Sequence, residues 1–189
     1  MKNIIIYGGA FNPPTIAHQA VLQQLAGYAE HIQAEIWLML SGNRKDKQIT
    51  ANIQQRLDLA RALAASVSTS VKIVIKTDEL YRVKPTETYD TALELKKEYP
   101  DINFIWVFGT DSLNTILDWR HGRWLLNHLS FILVNRVGYK CLNRPKKLLH
   151  TIDIGNIKVS STEVRQRMID GQPIAHLVPE AVMNLGSSS

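Results

Sequence analysis

The chain has one cysteine, Cys141, so no disulfide can form within it. That usage suits a reducing compartment, and a cytoplasmic location is expected. Long apolar runs are missing too. Stretches such as Ile4-Ile5-Ile6-Tyr7 fall far short of the roughly 20 residues that span a bilayer as a helix, so no membrane partner is expected. Met1-Lys2 and the isoleucines after it lack the length of a signal peptide and run at once into Asn12-Pro13-Pro14. There is no Gly-x-Ser-x-Gly elbow for a serine nucleophile, no His/Cys cluster at zinc spacing, and no carboxylate pair suited to acid–base work. Gly8-Gly9 lacks both the third glycine of the dinucleotide fingerprint and the Gly-Lys-Ser/Thr ending of a P-loop. The commonest phosphate-binding loops are thereby excluded.

What remains is a chain of 189 residues, 45% hydrophobic and 21% charged. This is enough for one globular domain with a full core. The expected domain covers residues 1–185, with Gly186-Ser187-Ser188-Ser189 set aside as a tail or cloning remnant. The net charge of +5 points to an anionic partner. Basic residues are spread along the chain, and the densest group, Arg144-Pro145-Lys146-Lys147, is short and poor in aromatic neighbours. Small phosphorylated ligands are therefore favoured over nucleic acid.

Strand-like and helix-like runs alternate. Strands are expected at 3–7, 35–40, 71–75, 103–108, 131–134 and, shortest, 157–159. Helices are expected at about 15–29, 51–65, within 86–97, after Asp111, at about 161–169 and at 178–185. In the first helix His18, Val21, Leu22 and Leu25 share one face. Residues 138–150 read as a basic, unpatterned loop. Such alternation predicts an α/β fold: a Rossmann-like, doubly wound parallel sheet with a small C-terminal helical portion. Ligands on these sheets bind at the carboxyl ends of the strands.

The strand–helix junction from Tyr7 to His18 reads as a phosphate site, because free amides and a helix dipole favour an anion there. Thr15 and His18 lie one turn apart. The plainer reading of His18 is a core histidine heading an apolar stripe. Ser160-Ser161-Thr162-Glu163-Val164-Arg165 is at least an N-cap. Its hydroxyls, amides and guanidinium can also hold a polyphosphate. Lys47 and Arg56 could join from the second strand's loop and helix, and Arg56, set within an apolar arc, needs an anion or open solvent. Asp111 could accept from a ribose or merely cap a helix. Trp119 could stack on a ring or simply fill the core.

The run Gly9-Ala10-Phe11-Asn12-Pro13-Pro14-Thr15-Ile16-Ala17-His18, together with Ser160–Arg165, resembles the nucleotidyltransferase superfamily, with its G-x-F-x-P-x-[HT]-x-x-H and I-S-S-T-x-x-R motifs. Within it, the chain looks like the nicotinate/nicotinamide mononucleotide adenylyltransferases. Thr88-Tyr89-Asp90-Thr91, Gly109-Thr110-Asp111-Ser112-Leu113 with Trp119, and Asn135-Arg136 follow that family's order. The resemblance implies that a mononucleotide phosphate attacks the α-phosphorus of ATP in line, giving a dinucleotide and pyrophosphate. It implies catalytic roles for His18, Thr15, Lys47 and Arg165. Gly8, Gly9, Ala10, Phe11, His18, Ser160, Ser161, Thr162 and Arg165 would bind ATP. Asn12, Arg56, Thr88, Thr91, Gly109, Asp111, Trp119 and Arg136 would bind the mononucleotide. Mg2+ would be required, held by ATP oxygens and water rather than by protein ligands.

Three positions depart from the family pattern. Thr15 stands where many bacterial members have histidine, Asp46 falls within the second loop, and Glu87 stands where a tyrosine often precedes Thr88's counterpart. The overall length and inner motifs point to nicotinate rather than nicotinamide mononucleotide. The alternatives are nucleotidyl transfer to another phosphorylated acceptor, or a non-catalytic nucleotide- or RNA-binding module on the same fold.

Overall fold

The computed structural model describes residues 1–42, 52–85, 87–135, 138 and 140–186. Its elements alternate as expected: β1 (Lys2–Gly9), α1 (Ile16–His31), β2 (Ala34–Leu40), α2 (Ile53–Ala65), β3 (Ile73–Lys76), α3 (Thr88–Glu98), β4 (Ile102–Gly109), α4 (Thr110–Thr115), a 3-10 turn (Ile116–Asp118), α5 (Gly122–His128), β5 (Ser130–Asn135), β6 (Lys147–Asp153), α6 (Ser161–Ile169) and α7 (Glu180–Gly186). All strand pairs are parallel, and the order is β3-β2-β1-β4-β5-β6. This is the doubly wound order, with its switch point between β1 and β4.

Alternation along β1 explains the two layers. Ile5 faces Leu22 and Leu25 of α1 and Ala60 and Leu63 of α2. Ile4 and Ile6 face the other way, into a cluster with Trp106, Phe131, Leu95 of α3 and Leu125 of α5. A third cluster joins Leu59 and Ala62 of α2 to Val164 of α6 and to Leu177, Val178 and Val182 at the C-terminal end. This is how the last quarter of the chain returns to the strand ends.

One element differs from the sequence expectation. Residues 157–159 are not a strand; Ile157 and Val159 pack as irregular chain against the core. The sixth strand is β6, inside the stretch read as a loop. It is an edge strand, and most of its residues alternate between exposed and half-buried, so its run Lys147-Leu148-Leu149-His150-Thr151-Ile152-Asp153 carries little hydrophobic signal.

Strand pairing also shapes the crevice. β1 pairs with β4 only as far as Ile6 and Trp106. Beyond that, β1 stays with β2 to Gly9 and Leu40, while β4 stays with β5 to Gly109 and Val134. The two central strands therefore part at their carboxyl ends, and glycines without side chains, Gly8, Gly9 and Gly109, flank the opening.

Candidate active site

Gly9 is glycine for a reason within the protein. A Cβ there would stand 2.9 Å from the Phe11 ring. Phe11 is buried, has a φ of 46°, and packs edge-on against Tyr7 and His18, each at 5.4 Å between ring centroids. It is the pillar on which the imidazole of His18 rests. A Cβ on Gly8, in contrast, would meet only the Met39 carbonyl oxygen, at 3.9 Å. The exposed backbone there is open to approach by a ligand.

The start of α1 is occupied differently from a bare anion site. The first helical N–H, that of Ile16, donates to the Leu177 carbonyl oxygen at 3.0 Å. Thr15 is the N-cap, and its own N–H donates to His18 Nδ1 at 3.0 Å. The Thr15 hydroxyl lies 2.8 Å from the same nitrogen. A backbone N–H can only donate, so Nδ1 is the unprotonated nitrogen and the hydroxyl donates as well. In neutral His18 the proton therefore sits on Nε2, where it can be given to a phosphate oxygen. His18 is half-buried, unlike Val21, Leu22 and Leu25 beneath it, and it does not belong to the core.

The far end of the chain meets this loop. Ser161 Oγ donates to the Pro13 carbonyl at 2.8 Å, and Arg165 Nη1 donates to the Asn12 carbonyl at 2.6 Å. Arg165 Nη2 also donates to Thr162 Oγ1 at 3.0 Å. Ser160 caps α6 by accepting from the Glu163 N–H at 3.1 Å. The two motifs read from the sequence thus stand side by side.

Several residues named from the sequence lie beneath the site rather than on it. Thr15 and Thr91 are fully buried. Arg56 is 3% exposed and donates to the carbonyls of Ala10, at 3.4 Å, and Ser41, at 2.5 Å, so it ties together the ends of β1 and β2. It meets carbonyl oxygens, neither an open solvent face nor a carboxylate among the described residues, and burial holds its pKa below the ordinary arginine value. The Thr91 hydroxyl donates to Glu79 Oε1 at 2.7 Å.

Of the other named residues, Gly109 and Asp111 stand at the carboxyl end of β4 and the start of α4. Asp111 is exposed in the first turn of α4, which Gly109 rather than Asp111 caps. Its carboxylate folds back over Gly109, where a Cβ would lie 2.5 Å from Oδ1. Trp119 packs edge-on against Phe108 of β4 at 5.6 Å. Thr88 opens α3. Lys47, Asp46 and Arg136 lie outside the described residues. Phe11, Arg56, Ala10 and Asn12 are all named from the sequence as ligand contacts. What motif reading missed is their supporting role, with Phe11 under His18, Arg56 on the Ala10 and Ser41 carbonyls, and the Asn12 and Pro13 carbonyls taken up by Arg165 and Ser161. Arg56 left a trace of that role in the sequence, as a charge in an apolar arc.

Among the described residues no three His, Cys, Asp or Glu side chains are grouped to hold a metal ion. The cationic and hydroxyl donors here suit a nucleotide whose metal is held by phosphate oxygens and water. No helix of the described residues is long and apolar enough to cross a membrane.

A doubly wound sheet whose crevice is lined by a His18 loop and an Arg165 helix start defines a class. Residues 6–167 match the model of the family described as cytidylyltransferase-like, and the chain belongs to that family of nucleotidyltransferases. Within it, the chain belongs with the nicotinate-nucleotide adenylyltransferases. It is 32% identical over 182 residues, 95% of this chain and 93% of its relative, to the Exiguobacterium sibiricum protein named "Probable nicotinate-nucleotide adenylyltransferase". A Bacillus cereus protein of the same name is 32% identical over 185 residues, covering 96% and 94% of the two chains. The Plasmodium falciparum nicotinic acid mononucleotide adenylyltransferase, solved in complex with NaAD, superposes with a TM-score of 0.82 at 26% identity, covering 97% of this chain and 94% of that one. Its complex with APC gives 0.80 at the same identity and coverage.

Proposed function

We infer that the protein transfers the adenylyl group of ATP to nicotinate mononucleotide, giving the deamido dinucleotide and pyrophosphate. The observation that carries this reading is the junction of the Asn12–His18 loop with the start of α6 at the parted ends of β1 and β4. A phosphate oxygen of the mononucleotide attacks the α-phosphorus of ATP. The bond from that phosphorus to the bridging oxygen breaks, and pyrophosphate departs with the electron pair. No nucleophile from the protein is required, so catalysis is positioning and neutralisation of developing charge.

His18 gives its Nε2 proton as a hydrogen bond to the ATP phosphates. The Arg165 N–H groups not bound to Asn12 and Thr162, with Ser160, Ser161 and Thr162, line the triphosphate. The backbone of Gly8, Gly9 and Ala10, beside Phe11, receives the nucleotide closely. Gly109 and Asp111 meet the nucleotide portion, Asn12 borders the mononucleotide, and Thr88 and Trp119 flank the pyridine ring. Lys47 and Arg136 are assigned to the phosphates and the mononucleotide by family resemblance. Thr15, Arg56 and Thr91 act through what they hold: His18, the Ala10 and Ser41 carbonyls, and Glu79. Mg2+, held by ATP oxygens and water rather than by protein side chains, would offset the charge of the triphosphate. Residues 1–185 form the catalytic domain, and the free thiol suits a cytoplasmic setting.

The test is pyrophosphate release from ATP and Mg2+ with nicotinate or nicotinamide mononucleotide. Turnover with nicotinate mononucleotide preferred is the expected result. Absence of turnover with either sinks the assignment.

A further inference from the structure

Thr88-Tyr89-Asp90-Thr91 opens α3, and the reaction as described uses only the first of these directly. Thr91 turns inward: its hydroxyl donates to Glu79 and accepts from Arg82 Nη1 at 3.2 Å, and Arg82 in turn pairs with Glu94. This anchors the first turn of α3 to the segment before it. Tyr89 and Asp90 instead engage the loop that follows the 3-10 turn. Arg120 Nη1 donates to both oxygens of Asp90, at 2.9 and 2.7 Å. The Arg120 guanidinium stands 5.6 Å from the centre of the Tyr89 ring. The His121 ring lies 4.1 Å from Tyr89, and Trp124 meets Tyr89 edge-on at 5.1 Å.

The loop itself has little freedom. His121 has a φ of 55°, in the left-handed region. The Gly122 N–H donates to the Trp119 carbonyl at 2.9 Å, and a Cβ on Gly122 would stand 1.7 Å from the Ile116 carbonyl oxygen. Trp119, immediately before Arg120, is held by Phe108 on the β4 side. Its distance from the start of α3 is therefore set by residues 120, 121 and 124, through Tyr89 and Asp90.

We propose that the Asp90–Arg120 ion pair, with Tyr89 beside it, is a latch that fixes the gap between the start of α3 and Trp119, and so positions the pyridine end of the mononucleotide. This rests on the reaction proposed above. Asp90 and Arg120 are positioning residues, not catalytic ones. The pair is half-exposed, at 38% and 50% for its two side chains, so salt screens it and its effect is a few-fold one. Tyr89 carries more, because Arg120, His121 and Trp124 all rest on it.

The experiment compares the full chain with Asp90→Asn, Arg120→Gln, Tyr89→Ala and the charge swap Asp90→Arg/Arg120→Asp. Two quantities are read: backbone amide exchange of residues 120–122 in the ligand-free protein, and KM for each substrate. We expect faster exchange and a KM for the mononucleotide raised about three- to five-fold in Asp90→Asn and Arg120→Gln. We expect about ten-fold in Tyr89→Ala, from the lost aromatic and cation–π contacts. KM for ATP and kcat should stay within about two-fold, the double neutral variant should add nothing to either single one, and the charge swap should recover part of the loss. Unchanged exchange in both single neutral variants overturns the latch, as does an equal rise in both KM values. If the wild type turns over neither mononucleotide, the reaction assignment fails separately. The latch then stands or falls on the exchange data alone.

Discussion

Thr15 donates twice to one nitrogen of His18. Its backbone N–H and its hydroxyl both reach Nδ1, at 3.0 and 2.8 Å. A threonine that is fully buried cannot serve as a phosphate ligand, yet it decides which imidazole nitrogen carries the proton. The residue that caps α1 is thus used to orient the histidine one turn further on.

His18→Ala removes the proposed donor to the transferring phosphates and should lower kcat by about 10²-fold or more, the range for losing one charge-stabilising contact. Thr15→Val keeps the backbone donor and loses only the hydroxyl. It should lower kcat by about three- to ten-fold, in line with one lost hydrogen bond. Nitrogen-15 NMR of His18 should show the Nε2-protonated form in the wild type and, because the backbone donor is kept, in the variant as well. An imidazole protonated on Nδ1 in the wild type would contradict the geometry.

Arg56→Ala strands two carbonyls, those of Ala10 and Ser41, and leaves a cavity at a site that is 3% exposed. A loss of about 2–4 kcal/mol is expected. Arg56→Lys should recover little, since an ammonium lacks the fork that reaches both strand ends. Urea unfolding measures both, and a lysine variant as stable as the wild type would count against the two-carbonyl role.

Two glycines should respond in opposite ways. Gly122→Ala drives a Cβ against backbone, the Ile116 carbonyl at 1.7 Å, which cannot move without unmaking the turn. A loss at or above the upper end of the usual 1–3 kcal/mol for overpacking is expected, about 3 kcal/mol. Gly109→Ala meets only the Asp111 carboxylate, at 2.5 Å, the end of a side chain that can swing away. It should fold with a Tm close to wild type and show its effect in substrate affinity instead. Thermal melts beside KM measurements separate the two cases.

Glu35 gives a pH-dependent term. A hydrogen bond from Lys2 at 2.6 Å, aided by Lys72 at 3.3 Å, holds its pKa below the ordinary 4.5. A carboxyl lowered in the folded state contributes stability that is present above the unfolded value and lost as pH falls through the folded one. Stability should therefore decline below about pH 4.5. Glu35→Gln should lower Tm by about 1–3 °C at pH 7, given a partly exposed pair. It should lower Tm less at pH 3. An equal deficit at the two pH values would remove the ion pair as its cause.

The two central strands were plain in the sequence because β-branched and aromatic runs such as Asn3–Tyr7 and Asn103–Phe108 have few other places to go. The His18 and Arg165 motifs were equally plain, since each is local. β6 was not: as an edge strand it exposes alternate residues, whereas Ile157-Lys158-Val159 has a strand-like composition but packs as irregular chain. Thr91 and Arg56 were misplaced for a related reason. A polar side chain in a motif looks the same whether it faces a ligand or the layer below.

The sequence by itself determined a parallel α/β sheet and a phosphate-handling chemistry at its two motif-bearing ends. Hydrophobic periodicity and short-range residue types are enough for that. Only the tertiary structure decided that Ser161 and Arg165 grip the Pro13 and Asn12 carbonyls, that Leu177 fills the first N–H of α1, and that Thr15 serves His18. Each of these joins a donor to an acceptor whose availability depends on what else has packed around it, and no local pattern records that.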